Sequence, residues 1–333
     1  MKQSGVSRGL WTVLLALALS PGAEAQASPK PPGKLVDLGG HRLHLYCTGK
    51  GSPTVVIEMG FEEFSSDWGL VQDPVAKFTR VCSYDRAGYA WSDPGPLPRT
   101  FAQINLELRS ALARGGEHGP YILVGHSYGG GVVRNFALSY PKQVAGMVFV
   151  DIVSENQRIP MGPKKTGLIS DYAMHKPIPA PRLEMRAKDK SVGDPGQNEK
   201  PTIEPPFDKL PEEAQKQRLW ALAKPEMQAA ANSEREWSSE YMANWRAKPQ
   251  AGSLGSLPLL VLTRAEGGFG DDLDLPAAEL EQQRKQSQAE LAKLSTRGSQ
   301  RIVNSGHNMQ LEAPDAVVQA IRGLVDGARK SRR

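Results

Sequence analysis

In this chain of 333 residues, Ser127 is the residue whose sequence context points most clearly to a catalytic role. It lies at the centre of a Gly-x-Ser-x-Gly motif, residues 125–129, which directly follows the apolar run at residues 121–124. Apolar residues at helical spacing come after it. Such a segment between a buried strand and a helix is typical of a nucleophile elbow, a sharp turn that exposes the serine hydroxyl. The sequence therefore predicts that Ser127 is a nucleophile.

A serine hydroxyl becomes a good nucleophile only when a neighbouring base accepts its proton, and that base is usually a histidine. His307 follows the last predicted strand, in a loop at the carboxyl end of the predicted sheet. The other histidines lie in the opening hairpin, in a loop, inside the elbow or in an insertion: His41, His44, His118, His126 and His175. We therefore predict that His307 is the general base.

The third group of such a site is a carboxylate that orients the imidazole and stabilises its charged form. Asp151 ends the strand that follows the elbow, and a rigid strand end fixes the position of a side chain. Glu266, with Asp271, Asp272 and Asp274 close behind it, lies in a glycine-rich loop. We predict that Asp151 is the acid and keep Glu266 as the alternative, since both preserve the order nucleophile, acid, base.

An oxyanion hole requires two backbone N–H donors directed at the oxygen that gains charge. The amide of Tyr128 directly follows the nucleophile and is the first predicted donor. The amide of Phe61, which follows Gly60, is the second. Glu62 and Glu63 come next, and negative charge near a developing oxyanion is unfavourable. We therefore expect both glutamate side chains to point to solvent.

Strand and helix patterns alternate along most of the chain. This alternation predicts an α/β fold, in which a mostly parallel sheet is covered by helices on both faces. The pattern is interrupted at residues 154–230, which are rich in proline and lysine in their first half. We expect this segment to be a cap inserted into a core formed by residues 35–153 and 231–328. The basic residues 329–333 are expected to form a solvated tail.

The amino-terminal 25 residues have the pattern of a secretory signal peptide. Basic residues precede an apolar stretch that is too short to span a bilayer comfortably, and a small-x-small sequence follows. We expect cleavage before Gln26, an exposed leader at residues 26–34, and a secreted or periplasmic protein with no stable membrane insertion. A retained anchor is the alternative.

Composition limits the partners and cofactors of the chain. The formal net charge is only +5, and no basic run is interleaved with aromatic residues, so nucleic acid is not an expected partner. No metal or cofactor is expected. Export would allow the two cysteines, Cys47 and Cys82, to form a disulfide, with two buried thiols as the alternative.

The chain resembles the α/β-hydrolase superfamily across residues 35–325. The resemblance is carried by the elbow, the Gly60 loop, the segment at residues 84–93 and the Ser-Gly-His sequence at residues 305–307. It implies an eight-stranded sheet in which the strand bearing Cys47 lies next to the strand bearing Cys82, which favours the disulfide.

The same resemblance, with serine as the nucleophile, implies hydrolysis of a small carboxylic ester through an acyl-enzyme. Members often carry the acid after the strand at residues 257–263, which here would fall near Gly267; a minority use the position of Asp151. The serine argues against epoxide hydrolases and haloalkane dehalogenases, which use an aspartate at the elbow. An amidase or aminopeptidase, a lactonase, and a ligand-binding protein without catalysis remain alternatives.

Overall fold

The computed structural model describes residues 28–162, 165–186, 189, 200–265, 267 and 277–331. Among these residues, eight strands form one sheet and two more form a separate hairpin. The strands are β1 (Lys34–Asp37), β2 (Arg42–Thr48), β3 (Val55–Glu58), β4 (Val81–Tyr84), β5 (Tyr121–His126), β6 (Val144–Val150), β7 (Arg158–Gly162), β8 (Lys165–Leu168), β9 (Leu259–Arg264) and β10 (Gly298–Val303).

The strand order of the large sheet is β1-β2-β4-β3-β5-β6-β9-β10. All pairs from β4 to β10 are parallel, and only β1 with β2 and β2 with β4 are antiparallel. Every residue of β3 and β5 is buried, as expected for central strands that are covered on both faces. The prediction of a mostly parallel, eight-stranded α/β fold is confirmed.

The disulfide implied by the resemblance is present in the structure. Cys47 of β2 lies directly opposite Cys82 of β4 in the antiparallel pair, with Cα atoms 4.0 Å apart, and the two sulfurs are bonded. The bond closes a loop with a sequence separation of 35 residues between the hairpin strand and the central sheet.

Helices cover both faces of the sheet. They are α1 (Gly69–Ala76), α2 (Phe101–Arg114), α3 (Tyr128–Ser139), α4 (Glu212–Leu222), α5 (Pro225–Arg246), α6 (Ala277–Ala292), α7 (Met309–Glu312) and α8 (Pro314–Lys330). One apolar cluster joins the sheet to α1 and α8, and a second joins the opposite face to α2 and α3 and reaches α5 and α6. Each face therefore has its own packed layer.

The segment between β6 and β9 contains the hairpin β7–β8 and the helices α4 and α5. Helix α5 is continuous over 22 residues, so the predicted cap boundary at residue 230 falls inside it. Its second half packs on α2: the ring of Tyr241 lies 4.5 Å from that of Phe101, and the Tyr241 hydroxyl accepts a hydrogen bond from the amide of Ala102 at 3.0 Å. The segment that covers the core thus extends to Arg246.

Each of the two expected loose ends has at least one residue held by hydrogen bonds, while Lys30, Lys34 and Lys330 are exposed. In the leader, the carbonyl of Pro29 accepts a hydrogen bond from the indole of Trp91 at 2.7 Å, so this segment is anchored rather than simply exposed. In the basic tail, Arg329 belongs to α8 and donates to the carbonyls of Ser52 and Phe78, at 2.8 Å each. The predicted signal peptide at residues 1–25 lies outside the described residues. None of the helices in the described part of the chain has the length and apolar character needed to cross a membrane.

Candidate active site

Ser127 occupies the turn between β5 and α3. Its backbone has φ +49° and ψ −117°, a conformation that a residue with a side chain adopts only under strain. The first turn of α3 lies against the end of β3 because residue 129 is glycine: a Cβ atom there would lie 2.5 Å from the carbonyl oxygens of Glu58 and Met59. The backbone therefore has the sharp turn that the motif predicts.

The two residues predicted to supply oxyanion donors lie together beside Ser127. Tyr128 is the first residue of α3, and the first N–H groups of a helix have no acceptor within the helix. Phe61 lines the same cavity as Ser127 and Tyr128, and the two aromatic rings are 6.0 Å apart, edge to face. The two residues predicted to supply the donors therefore line the same cavity as the serine.

His307 and Asp151 form a direct pair. The Nδ1 atom of His307 lies 2.7 Å from the Oδ2 atom of Asp151, which directly follows β6. The loop of His307 is held at the elbow by His126, whose Nε2 atom lies 2.9 Å from the carbonyl oxygen of His307. The rings of the two histidines are 4.7 Å apart. The predicted base and acid therefore form a pair, and the contacts of His126, the residue before Ser127, hold the His307 loop against the elbow.

Two arginines also hold the carboxylate of Asp151. The side chain of Arg264, at the end of β9, contacts Oδ2, and its backbone amide donates to Oδ1 at 3.2 Å. Arg284 of α6 approaches Oδ1 at 3.4 Å. Burial would raise the pKa of Asp151, but the hydrogen bond from His307 and the charge of Arg264 lower it to about 2. Asp151 is therefore ionised at neutral pH.

The pKa of His307 lies below its ordinary value of 6.5. Desolvation is the largest cause, and the positive charges of His126 and Arg264 act in the same direction, while the hydrogen bond to Asp151 opposes them. About 37% of the side chain is exposed. A neutral imidazole at pH 7 is the form that a general base requires.

A second carboxylate–histidine pair, not predicted from the sequence, lies beneath the elbow. Glu63 is buried rather than pointing to solvent, and its Oε1 atom forms an ion pair with Nδ1 of His126 at 2.9 Å. Burial alone would lower the pKa of His126, but the charge of Glu63 raises it. Although burial acts in the opposite direction, the charge of His126 lowers the pKa of Glu63 to about 2.

Glu63 has three further partners, which explain why a carboxylate is tolerated there. The amide of Gly60 donates to it at 2.8 Å, the indole of Trp68 at 3.3 Å and the side-chain amide of Gln310 at 3.0 Å. A buried charge is stable only when it is paired and hydrogen-bonded in this way. The expectation for Glu63 was wrong because its charged partner, His126, and the donor Gln310 come from distant parts of the sequence.

The remaining sequence candidates lie elsewhere. Glu266, the alternative acid, is outside the described residues, as are the three aspartates that follow it. His44 is fully buried and pairs with Asp85 at 2.7 Å, and buried His41 lies 3.4 Å from Glu107. These pairs belong to the first antiparallel strands and the segments packed against them.

A cavity of about 550 Å³ opens onto Ser127. Its inner wall is mainly apolar and aromatic, and helix α5 contributes polar residues to the rest. The lining residues are Phe61, Phe101, Ser127, Tyr128, Val153, Ile159, Ile169, Tyr172, Asn232, Arg235, Glu236, Ser238, Ser239 and Met242. Such a volume is typical of sites for small organic molecules.

Comparisons with known proteins agree with this architecture. YbdG of Bacillus subtilis is 27% identical over 159 residues, 47% of this chain and 45% of that protein. An AB hydrolase superfamily protein of Gibberella zeae is 37% identical over 103 residues, 30% of this chain and 32% of that protein. The chain spans less than half the length of the curated relatives it matches first.

Among solved structures, a thermophilic esterase from Thermogutta terrifontis superposes with a TM-score of 0.58 and 23% identity, over 89% of this chain and 98% of that one. At this identity the likeness shows the fold alone. The sequence profile of the alpha/beta hydrolase family matches residues 51–320, which is most of the chain. With its eight-stranded sheet and serine elbow, the chain belongs to the alpha/beta hydrolase family.

Proposed function

We propose that this protein is an exported serine hydrolase that cleaves carboxylic esters through an acyl-enzyme on Ser127. The observation that supports the proposal is a strained serine elbow that lines an apolar cavity and contacts, through His126, the loop of an Asp151–His307 pair at 2.7 Å. A nucleophile, an oriented base and a binding space are the parts that acyl transfer needs.

The proposed reaction has two halves. His307 takes the proton of the Ser127 hydroxyl while its oxygen attacks the ester carbonyl, and the amides of Phe61 and Tyr128 stabilise the oxyanion. The imidazolium then gives its proton to the leaving alcohol, and the acyl group stays on Ser127. In the second half His307 activates a water molecule, which releases the carboxylic acid and restores the serine.

Ionised Asp151 orients His307 through Nδ1 and leaves Nε2 as the nitrogen that exchanges the proton with the serine. It also stabilises the positive imidazolium that forms in each half-reaction. The low pKa of His307 keeps this base neutral between turnovers. Because the cavity wall is mainly apolar near the serine, we expect esters with apolar acyl or aromatic groups to be the better substrates.

Export belongs to the same proposal. The predicted signal peptide would direct the chain to a secreted or periplasmic location, and a Cys47–Cys82 disulfide is more stable in an oxidising compartment than in the cytosol. Mass measurement of the mature protein isolated from the producing cell tests this part: the expected protein starts at Gln26, and an uncleaved chain in the cytosol would contradict it.

The activity is tested with p-nitrophenyl esters of graded acyl length, the matching p-nitroanilides and a set of lactones. We expect ester hydrolysis by the wild type and a loss of about 10⁶-fold in kcat for Ser127→Ala. Faster hydrolysis of anilides or lactones would favour an amidase or a lactonase. Saturable ligand binding without turnover would favour a binding protein.

A further inference from the structure

A buried arginine links the covering helix α5 to the loop that bears Phe61. Arg86, two residues after β4, is only 2% exposed. Its Nε and Nη2 atoms donate to the carboxylate of Glu234 on α5, at 2.8 and 3.1 Å. Nη1 donates to Glu58 and to the carbonyl of Met59, at 3.0 Å each, and Nη2 donates to the carbonyl of Gly60, also at 3.0 Å. These five bonds match the five N–H donors of a guanidinium.

The contact with Gly60 fixes the direction of the next amide. In a trans peptide unit the C=O of one residue and the N–H of the next point in opposite directions. The carbonyl of Gly60 is turned towards Arg86, so the N–H of Phe61 is turned away from it. On the other side of the same residue, the amide of Gly60 donates to Glu63 at 2.8 Å. The Met59–Gly60 peptide unit is therefore held at both ends, and the next unit, which carries the Phe61 N–H, is held at its carbonyl by Arg86.

Residue 60 has no space for a side chain in this arrangement. A Cβ atom at this position would lie 2.8 Å from Nδ1 of His126 and 2.9 Å from the carboxyl carbon of Glu63. The same guanidinium packs 5.0 Å from the ring centre of Tyr128, whose amide is the other predicted donor. Arg86 thus contacts the carbonyl that precedes one predicted donor and the side chain of the residue that bears the other.

We propose that Arg86 is a positioning residue that directs the Phe61 amide towards the oxyanion, and that Glu234 makes this direction depend on the docking of α5. The inference rests on the proposed serine hydrolase function and adds to it a coupling between the covering helix and the chemical step. The hydrogen bonds of Arg86 connect α5 to the loop. Glu234 accepts from Nε and Nη2 of the guanidinium, and the remaining donors bind Glu58, Met59 and Gly60.

The first test is Arg86→Lys, which keeps the positive charge between the two carboxylates but cannot reproduce five fixed donors. We expect kcat to fall about 100-fold with KM within about 3-fold, since the oxyanion contact forms in the transition state. The inhibition constant of a trifluoromethyl ketone matched to the best ester should rise by the same factor, because this compound forms a tetrahedral adduct with the serine.

The acid limb of the pH–rate profile should stay unchanged in Arg86→Lys, because the contacts of Arg86 do not include His307 or Asp151. A merely structural defect would instead lower the fraction of active enzyme and leave the inhibition constant of the remaining enzyme unaltered. Active-site titration with a fluorophosphonate corrects for that fraction.

Glu234→Gln supplies a second, milder variant in case Arg86→Lys does not fold. It keeps the shape of the side chain and removes its charge, and we expect the same pattern at about 10-fold. Tyr89→Phe is the matched control: it removes only the hydroxyl that donates to Glu234 at 2.8 Å, and leaves the contacts of Arg86 in place. We expect kcat of this control within about 2-fold of the wild type.

The inference would be overturned if folded Arg86→Lys and Glu234→Gln kept kcat and the inhibition constant within about 3-fold. It would also be overturned if Tyr89→Phe reproduced the effect of Glu234→Gln, or if the losses came with a shifted acid limb. Failure of the proposed function has a different signature: a wild type that neither hydrolyses esters nor reacts with the fluorophosphonate.

Discussion

Two carboxylate–histidine pairs flank Ser127, and they have opposite properties. The Asp151–His307 pair lies at the cavity edge, with a partly exposed imidazole whose pKa is below 6.5. The Glu63–His126 pair lies beneath the elbow, almost fully buried, with an imidazole whose pKa is above 6.5. The lowered pKa of His307 favours its neutral imidazole, whereas the raised pKa of His126 favours its charged form.

The difference comes from the neighbours of each pair rather than from the pairing itself. Asp151 pairs with two arginines as well as with His307. The positive charges of the arginines offset part of the stabilisation that the carboxylate gives to the imidazolium of His307. Glu63 has neutral donors apart from His126, so its charge acts mainly on that ring. The buried pair keeps the Gly60 loop and the His307 loop together, while the open pair performs the proposed chemistry.

The largest expected effect comes from exchanging each histidine for glutamine. We expect His307→Gln to lower kcat by about 10⁵- to 10⁶-fold, because the variant lacks the imidazole that takes the proton of Ser127 in the proposed mechanism. His126→Gln should keep kcat within about 10-fold, since it supports a loop rather than the reacting atoms. Steady-state kinetics on the two folded variants compares them, and equal losses would remove the distinction between the pairs.

The next effect separates the two candidate acids. Asp151→Asn should lower kcat by about 10⁴-fold, because an amide no longer stabilises the imidazolium or its correct tautomer. Glu266→Gln is the matched control and should change kcat by less than about 3-fold. A large loss in Glu266→Gln with a small one in Asp151→Asn would reverse the assignment of the acid.

The free energy of unfolding should change more when the buried Glu63–His126 pair is broken than when the Asp151–His307 pair is broken. We expect His126→Gln to lower the free energy of unfolding by about 3 kcal/mol near pH 6, because it leaves the charge of Glu63 buried without its partner. The raised pKa of His126 means that its contribution is complete below pH 6.5 and is lost as the pH rises through the folded-state pKa. The difference between wild type and variant in urea unfolding should therefore shrink towards pH 9; a constant difference would show that His126 carries no buried charge.

The smallest effect concerns the pH–rate profile. The lowered pKa of His307 places the acid limb of kcat/KM below pH 6.5. Arg264→Met removes one of the positive charges near His307, while the charged groups of Asp151 and His126 remain. Because the charge of Arg264 lowers the pKa of His307, its removal should move the acid limb to higher pH. At pH 5.5 we expect a loss of a few-fold relative to the value at pH 8. A limb that moved to lower pH would contradict the role given to Arg264.

Much of this arrangement follows from local sequence patterns. The elbow around Ser127 is fixed by neighbours in the chain, and Asp151 and His307 lie at the ends of strands, where a parallel sheet brings such side chains to one edge. The α/β fold could be predicted from the alternating strand and helix patterns, and the count of eight strands was implied by the resemblance to the α/β-hydrolase superfamily.

The supports of the site could not be predicted in the same way. The sequence predicts Glu63 to be a surface residue because its partner His126 is 63 positions away. Arg264 and Arg284 are likewise distant from Asp151 in the sequence and contact it only in the folded protein. The expected cap boundary at residue 230 falls inside α5, because the sequence does not show where this helix begins to pack on α2. Such features depend on tertiary contacts, which a local pattern does not encode.

The central claim is that Ser127 is the nucleophile and that the Asp151–His307 pair activates it. Its most direct test is reaction of the folded protein with a fluorophosphonate, followed by peptide mapping by mass spectrometry. We expect one adduct per chain at Ser127 and no adduct in Ser127→Ala. Labelling should be strongly slowed in His307→Gln but not in His126→Gln. Absence of labelling in the folded wild type, or an adduct at a different residue, would contradict it.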